Sequence, residues 1–181
     1  MPQPRLTRDN ALLFICDVQT RLLPAIFEAQ RLERNIAMLA TLARRLELPV
    51  VVSEQNSAKI GGTADAIARA LGAFESVEKM RFSAWPDARN AVESCGRKTV
   101  LLCGLEAHIC VSQTALDLLD NGYAVFAAYD AISSRREDNR QVGWERMKAA
   151  GVLASSTEAA IYELLGQAGT DDFRAMLDLV K

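Results

Sequence analysis

One histidine, His108, stands against four cysteines, Cys16, Cys95, Cys103 and Cys110, in a chain of 181 residues. A single imidazole excludes multi-histidine metal sites within one chain and any relay that needs two histidines. No two cysteines are spaced Cys-x-x-Cys, so neither a zinc knuckle nor a dithiol redox pair is encoded. What remains is a thiol working with carboxylates and amines. Cys110 lies where the apolar run KTVLLCG (98–104) gives way to helical spacing over Ile109–Asp120. A thiol at a helix start feels the partial positive charge of unpaired N–H groups, which lowers its pKa. An ammonium from Lys79 would favour the thiolate further. Asp17 could take the thiol proton and return it to a leaving group. Backbone N–H groups of the loop Gly104–Cys110 could hold the oxyanion of a tetrahedral intermediate, worth about 3–4 kcal/mol per donor. Each residue also has a structural alternative: a small buried hydrophobe, a turn cap, a solvated loop charge.

The elements that must gather these residues are legible as apolar runs. ALLFIC (11–16), PVVVS (49–53), KTVLLCG (98–104) and YAVFAAY (123–129) do not alternate, as suits strands buried on both faces of a parallel sheet. Weaker strands fall near Ser76–Val77 and Gly151–Ala154. Between them, Leu32, Ile36, Leu39, Leu42, Ala43 and Leu46 repeat at three and four residues, as do Val111, Ala115, Leu118 and Leu119. Ala64–Leu71, Asp87–Cys95, Asp138–Ala150 and Thr157–Leu165 complete the alternation. Strand–helix alternation of this kind predicts an α/β fold with a parallel sheet and right-handed crossovers. Ligands of such sheets bind beyond the carboxyl ends of the strands. That edge collects Asp17-Val18-Gln19, Ser53-Glu54-Gln55, Glu78-Lys79, Gly104–Cys110 and Asp130.

Composition sets the surroundings. Half the residues are hydrophobic and 24% charged, enough for a full core. Twenty-one basic against twenty-three acidic residues leave a net charge of −2, which argues against a nucleic-acid surface or a polybasic membrane patch. No run approaches the ~20 apolar residues of a membrane span. The opening MPQPRLTRDN has no apolar signal core. The expectation is a cytoplasmic protein with reduced thiols. No linker or repeat interrupts the chain, so it reads as a single domain over 1–181, with a core over about 10–166. A capped amphipathic helix spans about 170–181, with Phe173, Met176, Leu177 and Val180 on one face. That face packs on its own domain or meets a sister subunit.

The sequence resembles the isochorismatase-like cysteine hydrolase superfamily, which includes nicotinamidases and N-carbamoylsarcosine amidohydrolase. The matching pieces are LLFICDVQ (12–19), VVVSEQN (50–56) with GGT (61–63), EKMRFSAW (78–85), VLLCGLEAHICV (100–111), YDAISSR (129–135) and ERMKAAGV (145–152). The resemblance implies a Rossmann-like three-layer α/β/α fold with a six-stranded parallel sheet. It implies Asp17 as acid/base, Lys79 as charge-stabilising residue and Cys110 as nucleophile. It further implies a cis peptide between Leu105 and Glu106 that turns the N–H groups of Glu106 and Cys110 toward the oxyanion. Metal-dependent nicotinamidases carry Asp-x-His after strand two; here stands Ser53-Glu54-Gln55-Asn56, so no metal or other cofactor is expected. Retention of Cys110 points to acyl chemistry on a C–N bond, amide or carbamoyl, in a small molecule. A vinyl-ether hydrolase of isochorismatase type and a non-catalytic binding protein are the alternatives. Gln19, Gln55, Phe82, Trp85 and His108 are candidate substrate-lining residues; each could equally serve packing or the surface. The family resemblance also implies a homo-oligomer of two, four or more subunits.

Overall fold

A computed structural model of the protein describes residues 4–180. The ends of the predicted tail helix (Lys181) and of the N-terminal segment (1–3) lie outside them. The strands are β1 (Ala11–Cys16), β2 (Val50–Gln55), β3 (Ser76–Lys79), β4 (Thr99–Leu105), β5 (Ala124–Ser133) and β6 (Leu153–Ser155). They form one sheet in the order β3-β2-β1-β4-β5-β6, every pair parallel. The helices between and after them are α1 (Ala29–Leu46), α2 (Ser57–Ile60), α3 (Asp65–Leu71), α4 (Trp85–Ser94), α5 (Ser112–Asp120), α6 (Glu137–Ala150), α7 (Thr157–Leu165) and α8 (Asp171–Val180).

The apolar runs became strands because both faces of the sheet are covered. Successive β1 residues alternate between two cores. Leu13 and Ile15 join Ile36, Leu39 and Ala43 of α1; Leu12, Phe14 and Cys16 join Ala88, Val92 and Val111 on the other side. That is the three-layer arrangement. The tail helix α8 buries Met176 in the α1 core, so its apolar face is used within the chain. β5 runs four residues past the predicted strand, to Ser133, with a register shift against β4 between Leu102 and Gly104. Asp130 therefore lies within a strand, and its carboxylate accepts from Thr157 N (2.7 Å) and Oγ1 (3.0 Å) at the start of α7.

The strand order reverses between β1 and β4, the position where open α/β sheets form a crevice. Gly104 makes the close approach possible. It has φ +147°, and a Cβ there would stand 2.2 Å from the Cys16 carbonyl oxygen. Only glycine fits. The chains leaving β1 and β4 thus part around one point, with Asp17 on one side and the turn Glu106–Cys110 on the other.

Candidate active site

Asp17 follows β1 in the left-handed region (φ +55°), an uncommon conformation for a non-glycine residue that neighbouring contacts must hold. Those contacts come from β2. Asp17 N donates to Ser53 O (3.1 Å), and Ser53 Oγ donates to Asp17 Oδ1 at 2.7 Å. The other carboxylate oxygen, Oδ2, stands 2.7 Å from Lys79 Nζ. Both side chains are sealed from solvent, at 0% exposure for Lys79 and 1% for Asp17.

Lys79 reaches this position from the end of β3, across β2. Its ammonium donates to Gln55 Oε1 (2.8 Å), Arg81 O (3.1 Å) and Phe82 O (3.1 Å). Those three oxygens claim its three protons. Asp17 Oδ2 meets the same ammonium at 2.7 Å, so the carboxylate and the three oxygens converge on one positive charge. Burial opposes the Lys79 charge, but Cys16, Asp17 and Cys110 around it more than offset that cost and hold its pKa above the usual lysine range.

Cys110 sits in a π-helical turn, Ala107–Val111, that runs directly into α5. Glu106 starts the turn at φ +57°, and its carbonyl accepts from Ile109 N (2.8 Å) and Val111 N (3.3 Å). A glycine supports this turn from outside. Gly143 of α6 packs so tightly that a Cβ there would come 2.5–2.6 Å from Ala107 C, Ala107 O and His108 N. Sequence reading missed this glycine, because nothing local marks a helix interior that touches a remote backbone.

Two expectations about the turn are corrected. No cis peptide occurs among the described residues, so Leu105–Glu106 is trans. The chain changes direction through the positive φ values of Gly104 and Glu106 instead. Nor is the Cys110 thiol acidified. It is pushed up to about 12, first by burial, then by the Asp17 charge; Lys79 pulls the other way but is outweighed. Cys110 is the fourth residue of the turn Ala107–Val111, and burial outweighs any help from the helix start. The Asp17 carboxylate also interacts directly with this thiol, which further favours the protonated form. Cys16, just before Asp17, is a second thiol in the same buried cluster and is also raised, by burial and then by Asp17 and Cys110.

The expected lining residues separate. Gln19 is fully buried and spends its amide on backbone: Nε2 donates to Gln55 O (3.0 Å) and Gly61 O (2.6 Å), and Oε1 accepts from Gln55 N (2.8 Å). It ties β2 to the GGT loop and has nothing left for a substrate. Gln55 is likewise committed, to Lys79 and to Met80 O at 2.9 Å. Trp85 is core, stacked edge-on against Tyr123 at 5.4 Å. Phe82 is 57% exposed and serves the site through its carbonyl. His108 stays near the turn, with Nδ1 3.0 Å from Ser134 Oγ and 3.4 Å from Glu106 Oε2. Glu54, beside Gln55, accepts from Thr63 N (2.7 Å) and Oγ1 (2.6 Å) and so closes the same loop. Ser53, one of the residues collected at the sheet edge, orients Asp17, and Arg135 donates its Nε to Glu106 Oε1 at 2.8 Å.

A doubly covered parallel sheet with a buried thiol, carboxylate and ammonium at its switch point is the architecture of a hydrolase of the α/β class. The isochorismatase domain model matches residues 11–159, and the chain belongs to the isochorismatase family. A secreted isochorismatase effector from Phytophthora sojae is 36% identical over 98% of this chain and 87% of its own. The human isochorismatase domain-containing protein 2 is 33% identical, over 98% and 86%. Among solved structures, the MAR1 ribonuclease of Caenorhabditis elegans superposes with a TM-score of 0.91 at 30% identity, covering 98% of this chain and 92% of that one. An octameric Escherichia coli hydrolase of unknown specificity shares the fold with the same TM-score at 22% identity, over 99% and 92%. No helix among the described residues is long and apolar enough to cross a membrane.

Proposed function

We propose that this isochorismatase-family hydrolase cleaves a C–N bond, amide or carbamoyl, in a small molecule through a thioester on Cys110. The observation that carries the reading is that one buried carboxylate, Asp17, is paired with the Lys79 ammonium at 2.7 Å and lies near enough to the Cys110 thiol for its charge to favour the protonated form. With the thiol held protonated, Asp17 works as a base during attack rather than beside a preformed thiolate. As sulfur bonds to the carbonyl carbon, the thiol proton passes to Asp17 and the carbonyl oxygen becomes an oxyanion. The N–H groups of Glu106 and Cys110, which the family resemblance makes its donors, would have to reach it from a turn whose Leu105–Glu106 peptide is trans. Asp17 then gives the proton to the leaving nitrogen, and the C–N bond breaks. Water enters, loses a proton to Asp17 and attacks the thioester; the C–S bond breaks, the acid leaves, and the proton returns to sulfur. Lys79 holds Asp17 charged and in place throughout.

The chain's near balance of 21 basic and 23 acidic residues argues against a nucleic-acid partner. Four free cysteines, three of them buried, fit a reducing compartment such as the cytoplasm. The test is a screen of amides and ureido compounds against Cys110→Ala. Turnover and a trapped acyl adduct at Cys110, seen by intact mass, should both vanish in the folded variant. Amide hydrolysis that survives Cys110→Ala would overturn the thioester, and hydrolysis of an added vinyl ether that survives Cys110→Ala but not Asp17→Ala would replace this reading with vinyl-ether chemistry.

A further inference from the structure

Glu106 is an odd residue for its position. Its backbone is left-handed, where a non-glycine residue is uncommon. Its side chain is 7% exposed, and Arg135 Nε holds Oε1 at 2.8 Å. The second oxygen, Oε2, is buried and has no hydrogen-bond partner among the described protein groups. His108 Nδ1 is 3.4 Å away, but its closer partner is Ser134 Oγ. Leaving a buried carboxylate oxygen unbonded forfeits its solvation with no return.

The placement is also unfavourable for the chemistry. Glu106's charge adds to the forces that keep Cys110 protonated. A role in holding the turn would need only Oε1 and Arg135. Burial without a partner, beside the nucleophile and against its activation, is accounted for when a substrate group satisfies Oε2. A donor there would also partly screen the charge that Glu106 adds beside Cys110 as substrate arrives.

We propose that Glu106 Oε2 accepts an N–H of the substrate, so that the site selects small molecules carrying an unsubstituted amide or ureido nitrogen on, or one carbon from, the carbon that Cys110 attacks. This specificity role rests on Cys110 being the nucleophile. Glu106→Gln tests it directly. With its amide oxygen kept by Arg135, the new –NH2 group would stand where Oε2 was, presenting a donor to a donor.

The probes are 2-iodoacetamide and N,N-dimethyl-2-iodoacetamide, each forming a C–S bond to Cys110 with loss of iodide. Adducts are located by peptide mass spectrometry, and rates are divided by those of N-acetylcysteine. The natural chain should favour the N–H reagent about tenfold, the scale of one charged hydrogen bond. Glu106→Gln should lose that preference and react with the dimethyl reagent at least as fast as the natural chain. Equal normalised rates in the natural chain overturn the proposal however the variant folds. A preference that persists in Glu106→Gln overturns it too, since exclusion of the methyl groups would then explain it. Reaction at Cys95 with no adduct at Cys110 overturns the nucleophile itself, and the Glu106 role with it.

Discussion

Lys79 Nζ and Asp17 Oδ2 form an ion pair at 2.7 Å between two side chains that solvent does not reach, spanning from β3 to β1 across the intervening β2. A pair so buried is held by its surroundings: Gln55 and two carbonyls on the lysine, Ser53 on the aspartate. Its worth therefore differs sharply depending on whether one partner or both are removed.

Lys79→Met should strand a buried carboxylate and destabilise the fold by about 3–5 kcal/mol in urea unfolding at neutral pH. The double variant Asp17→Asn/Lys79→Met should recover most of that loss, although it abolishes activity. Additive losses in the double variant would mean that the two charges do not compensate one another.

The thiols set an alkaline limit. Cys110 titrates near 9 in an unfolded chain and at about 12 when folded, first because of burial. Below pH 9 both states keep the proton and its contribution to stability is complete. Between the two values the unfolded chain releases a proton that the folded one retains, so stability falls as pH rises, by ~1.4 kcal/mol per pH unit for this thiol. Above the folded value the fall stops. Buried Cys16 and Cys103 are raised as well and steepen the slope. Urea unfolding between about pH 9 and about pH 10.5 should show a slope shallower by one proton in Cys110→Ala. An unchanged slope would show that the folded thiol titrates normally.

These results mark where sequence reading stops. Strands β1, β2, β4 and β5 were legible because strands covered on both faces must be apolar throughout. Asp17, Lys79 and Cys110 were legible as neighbours because a parallel sheet brings every carboxyl end to one edge. The roles of Gln19 and Gln55 were not, since Gln19 bonds the remote backbone of Gln55 and Gly61, and Gln55 bonds Lys79 on the neighbouring strand β3. Trp85 reads identically as a pocket wall or as core. The thiol pKa was misjudged for a similar reason: helix polarity can be read along the chain, whereas burial depends on the whole fold. The Glu106 turn differs from its expected cis form because two positive-φ residues supply the change of direction.

Gly143 makes the last case, because it lies on α6, carries no chemistry, and yet supports the nucleophile's turn. Any Cβ at this site meets Ala107 and His108 backbone atoms at 2.5–2.6 Å, and backbone cannot swing aside as a flexible side chain would. Gly143→Ala must therefore push α6 outward or shift the turn that places Cys110. Overpacking of this kind costs about 1–3 kcal/mol, partly offset by alanine's better helix propensity. Activity should suffer more than stability: a displacement near 1 Å at the nucleophile is worth about a hundredfold in rate. Turnover per folded molecule, with thermal unfolding measured alongside, separates the two. If Gly143→Ala keeps the natural rate per folded molecule, then α6 yields and the turn is positioned from within β4 and α5 alone.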